Sequence, residues 1–410
     1  MLPAIIKTHT ASFALQSTTD KQLKKILQEL AAAVENGTKA LLKANKKDIE
    51  KKDPDNPKLD RLLLDEQRIK AIANSIRKVS KLPNPSNKII ENRTLKNGLQ
   101  LQKMTVPLGV VCAIYESRPN VTFDIAALCL RSGNACLLKG SSDAENTNKA
   151  AIAIIKKVLK ENGLPVDAVT LLPSARETVE HLFTATKYID VIIPRGSDSL
   201  IQYVRKNSLV PVIETGAGVC HVFVAKDANL KIAVNIAVNA KVSRPSVCNA
   251  MDTLLVDESL AEAFFALLMP HFLQHNVGIF ADAKAYNLLK GYPHLTKAKP
   301  SDFGREYLSL NCAIKIVSGS DEALQHIRTY STKHSEAIVT NDQKLARHFL
   351  KSVDAAAVYH NASTRFTDGE EFGMGAEIGI STQKLHARGP FALEKLVTEK
   401  WIIKGNGQVR

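Results

Sequence analysis

Residues 109–139, GVVCAIYESRPNVTFDIAALCLRSGNACLLK, hold the pattern that decides the fold. The apolar run Gly109–Tyr115 is short, lacks alternation and reads as a strand covered on both faces. A helical pattern follows through Ala126–Arg131, and Ala135–Lys139 is a second short apolar run. Strand, helix and strand at this spacing make a βαβ unit with parallel strands. The alternation continues with a helix from about Asn146 to Asn162 and strands at Val169–Leu172, Val191–Pro194, Val210–Glu214 and Val219–Ala225. A helix over Ala228–Lys241, a strand at Thr253–Val256 and a second series from Ser259 to about Tyr359 extend it. The spacing predicts an α/β protein on parallel sheets, with a domain boundary near residue 226.

Upstream, residues 20–80 read as amphipathic helices, with Leu23, Ile26, Leu27 and Leu30 at helical spacing and a loop at Asp53-Pro54-Asp55-Asn56-Pro57. Pro83-Asn84-Pro85 closes the helical region, and residues 88–104 place Asn97-Gly98 between alternating segments, a hairpin signal. An isolated hairpin is marginal in water. The C-terminal stretch Leu396–Ile403 has strand propensity and holds the only tryptophan, so exposed it would present an apolar edge. Pairing the hairpin with this segment of another subunit covers both, which predicts at least a homodimer.

Hydrophobic residues make up 45% and charged residues 23% of the 410, a composition that can bury a large core and excludes disorder as the main state. No apolar stretch is long enough for a membrane span, and the N-terminus lacks the basic start and apolar run of a secretory leader, so a cytoplasmic protein is expected. The net charge of +14 invites a nucleic-acid reading. Residues 1–100 carry 20 Lys and Arg against 11 Asp and Glu, on helices whose other face is apolar. Their single aromatic, Phe13, leaves little to stack on bases, so a solvated face is the better reading. The six cysteines form no C-x-x-C pair, and His271 and His275 have no third ligand nearby, so no metal is expected.

Cys248 differs from the other cysteines: Lys241 and Arg244 precede it, Pro245 breaks the helix and Asn249 follows. Nearby positive charge favours the thiolate, the nucleophilic form. The remaining polar clusters sit at predicted strand ends, where α/β proteins bind ligands. They are Tyr115-Glu116-Ser117-Arg118-Pro119-Asn120, Lys139-Gly140-Ser141-Ser142, Pro194-Arg195-Gly196-Ser197 and Glu214-Thr215-Gly216-Ala217-Gly218. Backbone N–H groups, hydroxyls and an ammonium at such turns can receive phosphate. Neither G-x-G-x-x-G nor the P-loop pattern is present.

Val106-Pro107-Leu108-Gly109-Val110 with Tyr115–Thr122, Ile193–Ser197, Ala240-Lys241 with Arg244–Ala250, and Gly375–Gln383 are similar to a known family. In these segments the chain resembles the gamma-glutamyl phosphate reductases (glutamate-5-semialdehyde dehydrogenases), a branch of the aldehyde dehydrogenase superfamily, and the resemblance covers essentially its whole length. It implies a Rossmann-like cofactor domain over residues 1–225 bearing the 88–104 oligomerisation hairpin. An α/β catalytic domain over 226–390 and a C-terminal oligomerisation segment, 391–410, complete the expected fold. The implied reaction is the second step of proline biosynthesis from glutamate, reduction of L-glutamyl 5-phosphate by NADPH to glutamate 5-semialdehyde and phosphate.

By the same resemblance Cys248 is the nucleophile and the Asn120 amide helps stabilise the oxyanion. Lys139 contacts the adenosine ribose or its phosphate with Gly140 and Ser141, and neutral Ser142 tolerates a 2′-phosphate, favouring NADP(H). Gly196 and Ser197 lie beside the pyrophosphate, Glu214 and Gly216 near the cofactor. Glu371-Phe372-Gly373 is similar to the Glu-x-Phe-Gly element that holds the nicotinamide ribose. Ser117, Arg118, Lys241, Arg244 and Arg365 are expected around the substrate phosphate and carboxylate. Contact with the glutamate 5-kinase that supplies the acyl phosphate is a further expectation. A thioester-hydrolysing aldehyde dehydrogenase, with Glu214 as general base 34 positions before Cys248, is the rival within the class.

Overall fold

The computed structural model describes residues 2–50, 52, 59–116 and 118–410. The loop expected at 53–57 and the substrate-binding expectation for Ser117 lie outside the described residues. The chain divides into two compact units. Unit 1 comprises Met1–Thr215, Gly373–Gly379 and Pro390–Arg410, and unit 2 comprises Gly216–Phe372 and Ile380–Gly389.

Unit 1 opens with helices whose apolar stripes are buried as their spacing requires. Thr19 starts the helix Asp20–Asn36 with a capping box: its hydroxyl accepts from the Gln22 N–H, and Gln22 Oε1 accepts from the Thr19 N–H. Leu23, Ile26, Leu27 and Leu30 point into the core, while Lys24 and Lys25 pair with Asp20 and Glu29 one turn away. The basic stretch is therefore a solvated helix face laced with i,i+4 pairs.

The hairpin follows as β1 (Ile89–Thr94) and β2 (Gln100–Pro107), with Gly98 at φ +87° in its turn. Next come β3 (Val110–Tyr115), the helix Pro119–Arg131, β4 (Ala135–Lys139), β5 (Val169–Leu171) and β6 (Val191–Arg195). They form a parallel sheet in the order β5-β4-β3-β6. Every residue of β3 and β4 is buried, the reason these runs are apolar without alternation. The strand order reverses beside β3, so the carboxyl ends of β3 and β6 flank the crevice where such sheets bind ligands. The strand expected at Val210–Glu214 forms only a single bridge between Val212 and Ile192. Pro211 has no N–H to give a ladder, although its carbonyl accepts from Ile192.

Unit 2 holds a seven-stranded parallel sheet of β7 (Cys220–Val224), β8 (Met251–Asp257), β9 (Gly278–Ala281), β10 (Leu295–Lys297), β11 (Asn311–Val317), β12 (Ser335–Val339) and β13 (Ala357–His360). Their order is β10-β9-β11-β8-β7-β12-β13. Val222, Leu254, Phe264, Leu268, Phe272 and Ile314 belong to the main core on one face, and Phe223, Leu255 and Phe349 to a second cluster. The chain passes from unit 1 to unit 2 within β14 (Glu377–Ser381) and returns in β15 (Gly389–Ala392).

The last strand, β16 (Val397–Lys404), lies antiparallel to β2 of its own chain, from Val397 opposite Pro107 to Lys404 opposite Gln100. This corrects the expectation that the hairpin takes this strand from another subunit. The segment is long enough to pair locally, and the Asn134 amide fixes its approach by donating to the Leu396 carbonyl at 2.8 Å. No helix among the described residues is long and apolar enough to cross a membrane.

The interior of unit 2 also encloses neutral histidines. Burial, reinforced by the neighbouring His221, pushes His326 down to about 3, and burial alone pushes His334 down to about 4. In the unfolded chain both take up protons near pH 6.5, so the unfolded state binds more protons between about pH 4 and 6.5. Unfolding free energy is therefore expected to fall on acidification through that window, by up to ~1.4 kcal/mol per pH unit for each site. His326 packs among Phe303, Tyr330 and His221. Urea unfolding of His326→Phe at pH 5, 6 and 7 should show a shallower pH slope than the parent; an unchanged slope refutes the assignment.

Candidate active site

Of the six cysteines, Cys248 is the one that is not buried. The other thiols are poor nucleophiles for identifiable reasons. Burial pushes Cys112 and Cys220 well up and Cys312 to about 12, and a hydrogen bond with Cys129, together with burial, raises Cys136. Cys248 sits in the loop between the helix Leu230–Val242 and β8. That loop is held closely: the Cys220 thiol donates to the Cys248 carbonyl at 3.2 Å, and a Cβ on Gly218 would lie 1.6 Å from the same oxygen. Gly218 closes the Glu214–Gly218 cluster read at a strand end, although no role was expected of it by itself. Its signal was the Gly216-Ala217-Gly218 run, in which only Gly216 stood out, and a Cβ on Gly216 would meet the Thr382 hydroxyl at 3.2 Å.

Asn249, buried beside Cys248, ties this loop to the segment bearing Arg365. Its side-chain N–H groups donate to the Thr367 carbonyl at 2.9 Å and the Arg365 carbonyl at 3.2 Å. Its side-chain oxygen accepts from the Arg365 guanidinium, and the Thr364 hydroxyl donates to its backbone carbonyl at 2.8 Å. Arg365 also donates to the Ser243 hydroxyl at 3.1 Å. Burial and the adjacent Arg244 lower the Arg365 pKa, while Asp368, Cys248 and Cys220 act in the other direction. Arg365 and exposed Arg244 thus supply positive charge around Cys248, as their positions in the sequence suggest.

Lys241 is placed differently from its expectation as a substrate cation. It has no accessible surface; its ammonium donates to the Asn311 carbonyl at 2.8 Å and the Ser309 carbonyl at 3.2 Å, with Asp252 at 3.7 Å. A charge so enclosed is a structural ion pair, and Lys241 is withdrawn from the substrate-binding set. Its spacing from Cys248 carried no information about which way it would be buried.

In unit 1 the carboxyl ends of β3, β4 and β6 bring together most of the residues expected around the cofactor. Arg118 is exposed at the N-cap of the helix Pro119–Arg131, and Asn120 is exposed in its first turn. The Asn120 amide donates to Asp124, one turn on, at 2.9 Å. Gly196 and Ser197 lead into the helix Asp198–Asn207, whose N-terminal N–H groups attract anions. Glu116 occupies that position, accepting from Ser197 N–H at 3.0 Å and from the Ser197 hydroxyl at 2.9 Å. A Cβ on Gly196 would lie 2.6 Å from the same carboxyl. Glu214 pairs with Arg205 at 3.1 Å.

Lys139 ends β4 almost buried, and burial lowers its pKa, with the nearby Arg176 charge adding to the effect. Neither cation has an acidic partner among the described residues. Gly140 lets the chain turn here, since a Cβ would meet the Asn148 amide at 2.4 Å. Ser141 caps the short turn Ser142–Ala144. Arg176 is a further residue missed in sequence; no spacing rule links it to Lys139, 37 positions earlier.

Glu371 and Phe372 are exposed, after a turn in which Asp368 accepts from the Glu370 N–H at 2.8 Å. Glu370-Glu371-Phe372-Gly373 also fits the Glu-x-Phe-Gly pattern without a gap, which makes Glu370 a second candidate beside Glu371 for its acidic position.

Comparison with known proteins identifies the chain. Residues 3–285 match the Aldehyde dehydrogenase family. The gamma-glutamyl phosphate reductase of Chlorobium luteolum is 51% identical over 403 residues, covering 98% of this chain and 96% of its own, and that of Chlorobaculum parvum is 52% identical over the same length. The crystal structure of gamma-glutamyl phosphate reductase from Thermotoga maritima superposes with a TM-score of 0.96 at 41% identity, covering 100% of this chain and 99% of that one. The chain therefore has the aldehyde dehydrogenase-like α/β fold, and it belongs to the aldehyde dehydrogenase family and, within it, to the gamma-glutamyl phosphate reductases.

Proposed function

We propose that this protein reduces L-glutamyl 5-phosphate to L-glutamate 5-semialdehyde and phosphate with NADPH, the second step of proline biosynthesis from glutamate. The observation that carries the reading is the Cys248 thiol, the one cysteine left accessible, in a loop bordered by Arg365 and Arg244. In this reading unit 1 holds the cofactor and unit 2 carries the nucleophile. The Cys248 thiolate attacks the acyl carbon, the bond to the phosphate oxygen breaks, and phosphate leaves with its electron pair. Arg244 and Arg365 hold the phosphate's charge, with Arg118 as a further cation, and the Asn120 amide stabilises the oxyanion. When bound, the nicotinamide cofactor supplies the hydride that reduces the resulting thioester. The pairing of Glu214 with Arg205 supports a structural role over that of a water-activating base, which favours the reductase over a hydrolytic dehydrogenase. Open edges on β1 and β16 and exposed Ile89, Trp401 and Ile403 support a homo-oligomer, and the reading places the enzyme in the cytoplasm.

The test is the reverse assay: glutamate 5-semialdehyde with NADP+ should yield NADPH only when inorganic phosphate is present. Phosphate-independent oxidation favours the hydrolytic rival.

Cofactor choice is tested separately. Lys139 and Arg176, two adjacent cations without acidic partners among the described residues, fit a 2′-phosphate beside the Ser141 and Ser142 hydroxyls. Lys139→Ala should weaken NADPH binding roughly 10- to 100-fold while changing NADH little, and Arg176→Ala should act in the same direction. Dissociation constants from nucleotide fluorescence decide it, and equal losses for both cofactors refute it.

A further inference from the structure

We propose that Asp124 and Arg195 form a subsite for the amino-acid end of the substrate, Asp124 receiving the α-ammonium and Arg195 the α-carboxylate. The inference rests on the functional reading above, and on a need that reading leaves open. Its substrate contacts are cations and an amide, which suit a phosphate, a carboxylate and an oxyanion, but none suits an ammonium.

Asp124 is the acid that touches Asn120 among the described residues. Glu116 is engaged by Ser197 and Glu214 by Arg205. Asp124 lies one helical turn beyond Asn120, half-buried, and accepts from the Asn120 amide at 2.9 Å and from the Ser75 side chain. A carboxylate has about four acceptor positions, so these two bonds leave capacity for another donor. Burial raises its carboxyl to about 6, against the lowering by Asn120, Arg195 and Ser75. A carboxylate so desolvated gains more from a cation than one in open water.

The spacing matches the substrate. In a glutamyl chain four single bonds of roughly 1.5 Å separate the reacting carbonyl carbon from the α-nitrogen, an extended span of about 5 Å. The Asn120 amide nitrogen and the Asp124 carboxylate lie 2.9 Å apart, close enough for one glutamyl chain to meet the first with its acyl oxygen and the second with its α-ammonium. Arg195 ends β6 beside Asp124 and completes the match to a zwitterion. Gly379 makes room for it: a Cβ there would lie 2.6 Å from Arg195 Nη1 and 2.5 Å from Thr215 Cγ2. The Thr215 hydroxyl in turn donates to the Pro194 carbonyl at 2.7 Å, fixing the strand end that carries the guanidinium.

The experiment compares glutamate 5-semialdehyde with 5-oxopentanoate, the same aldehyde without the amine, in the phosphate-dependent assay with NADP+. The parent enzyme should prefer the amino aldehyde. Asp124→Asn keeps an oxygen for the Asn120 amide and removes the charge. It should raise KM for glutamate 5-semialdehyde roughly 10- to 100-fold and leave that for 5-oxopentanoate within about twofold. Arg195→Gln should raise KM for both, since both keep the carboxylate. Calorimetry with L-glutamate and glutarate gives a second readout, in which Asp124→Asn should erase the preference for glutamate. Equal loss on both aldehydes through kcat means that Asp124 only orients Asn120 and overturns the proposal. So does a parent enzyme that does not distinguish them. A parent enzyme that oxidises neither aldehyde in phosphate overturns the functional reading, and this inference with it.

Discussion

Cys248→Ala is expected to lose at least about 10⁴-fold in turnover while unfolding at the parent's denaturant concentration. The two halves of that result follow from different facts. Loss of a covalent nucleophile removes the only route to a thioester, and no second thiol can substitute, because the other five are buried. Stability is retained because the structure holds this loop through the Cys248 backbone carbonyl and the Asn249 side chain, which an alanine leaves in place. Iodoacetamide labelling with peptide mapping checks the same point without turnover, since the Cys248 peptide should be alkylated first. Substantial activity in the alanine variant, or first labelling elsewhere, removes Cys248 from the mechanism.

The second large effect is structural. Lys241→Met should cost about 3–5 kcal/mol of stability, because it leaves a buried carboxyl without its cation and two carbonyls without a donor. Burial already pushes Asp252 up to about 7 despite Lys241 nearby, and removing the lysine raises it further. A carboxyl whose folded pKa exceeds its unfolded value favours folding at low pH, and that advantage disappears as pH rises towards the folded pKa. Urea unfolding of the variant should therefore show a steeper loss between pH 6 and pH 8 than the parent shows. A variant as stable as the parent but with a raised substrate KM returns Lys241 to the binding site.

The contrast between Lys241 and Arg365 shows where sequence stops informing. Each is a cation expected around the substrate, yet Arg365 neighbours the Cys248 loop while Lys241 is buried between β8 and β11. Charge and spacing are one-dimensional, whereas the direction a side chain takes from a helix end depends on strands far along the chain. Elements whose signal is periodic were legible: the βαβ pattern over 109–139, the helix 20–36 and the Asn97-Gly98 hairpin all form as read. The bridge at Val212 was not, because a single proline outweighs an apolar run in a ladder. Among candidate site residues, those at strand ends were singled out through local chemistry. Gly218 stood in a visible glycine run, but its close approach to the Cys248 carbonyl depends on a residue 30 positions on; Arg176 lies 37 positions from Lys139, and nothing local marks it.

The strand that closes the chain has a spectroscopic consequence. Trp401, the only tryptophan, lies on β16 under the cations of Arg93 and Lys103, each 5.7 Å from its ring. Emission excited at the indole band therefore comes from one address, the small antiparallel sheet, and the ring is already partly open to solvent. As the two parallel sheets melt, the native fluorophore reports them only through their coupling to this sheet. Any separation between its transition and that seen by far-ultraviolet dichroism measures how independently the β1-β2-β16 ribbon unfolds.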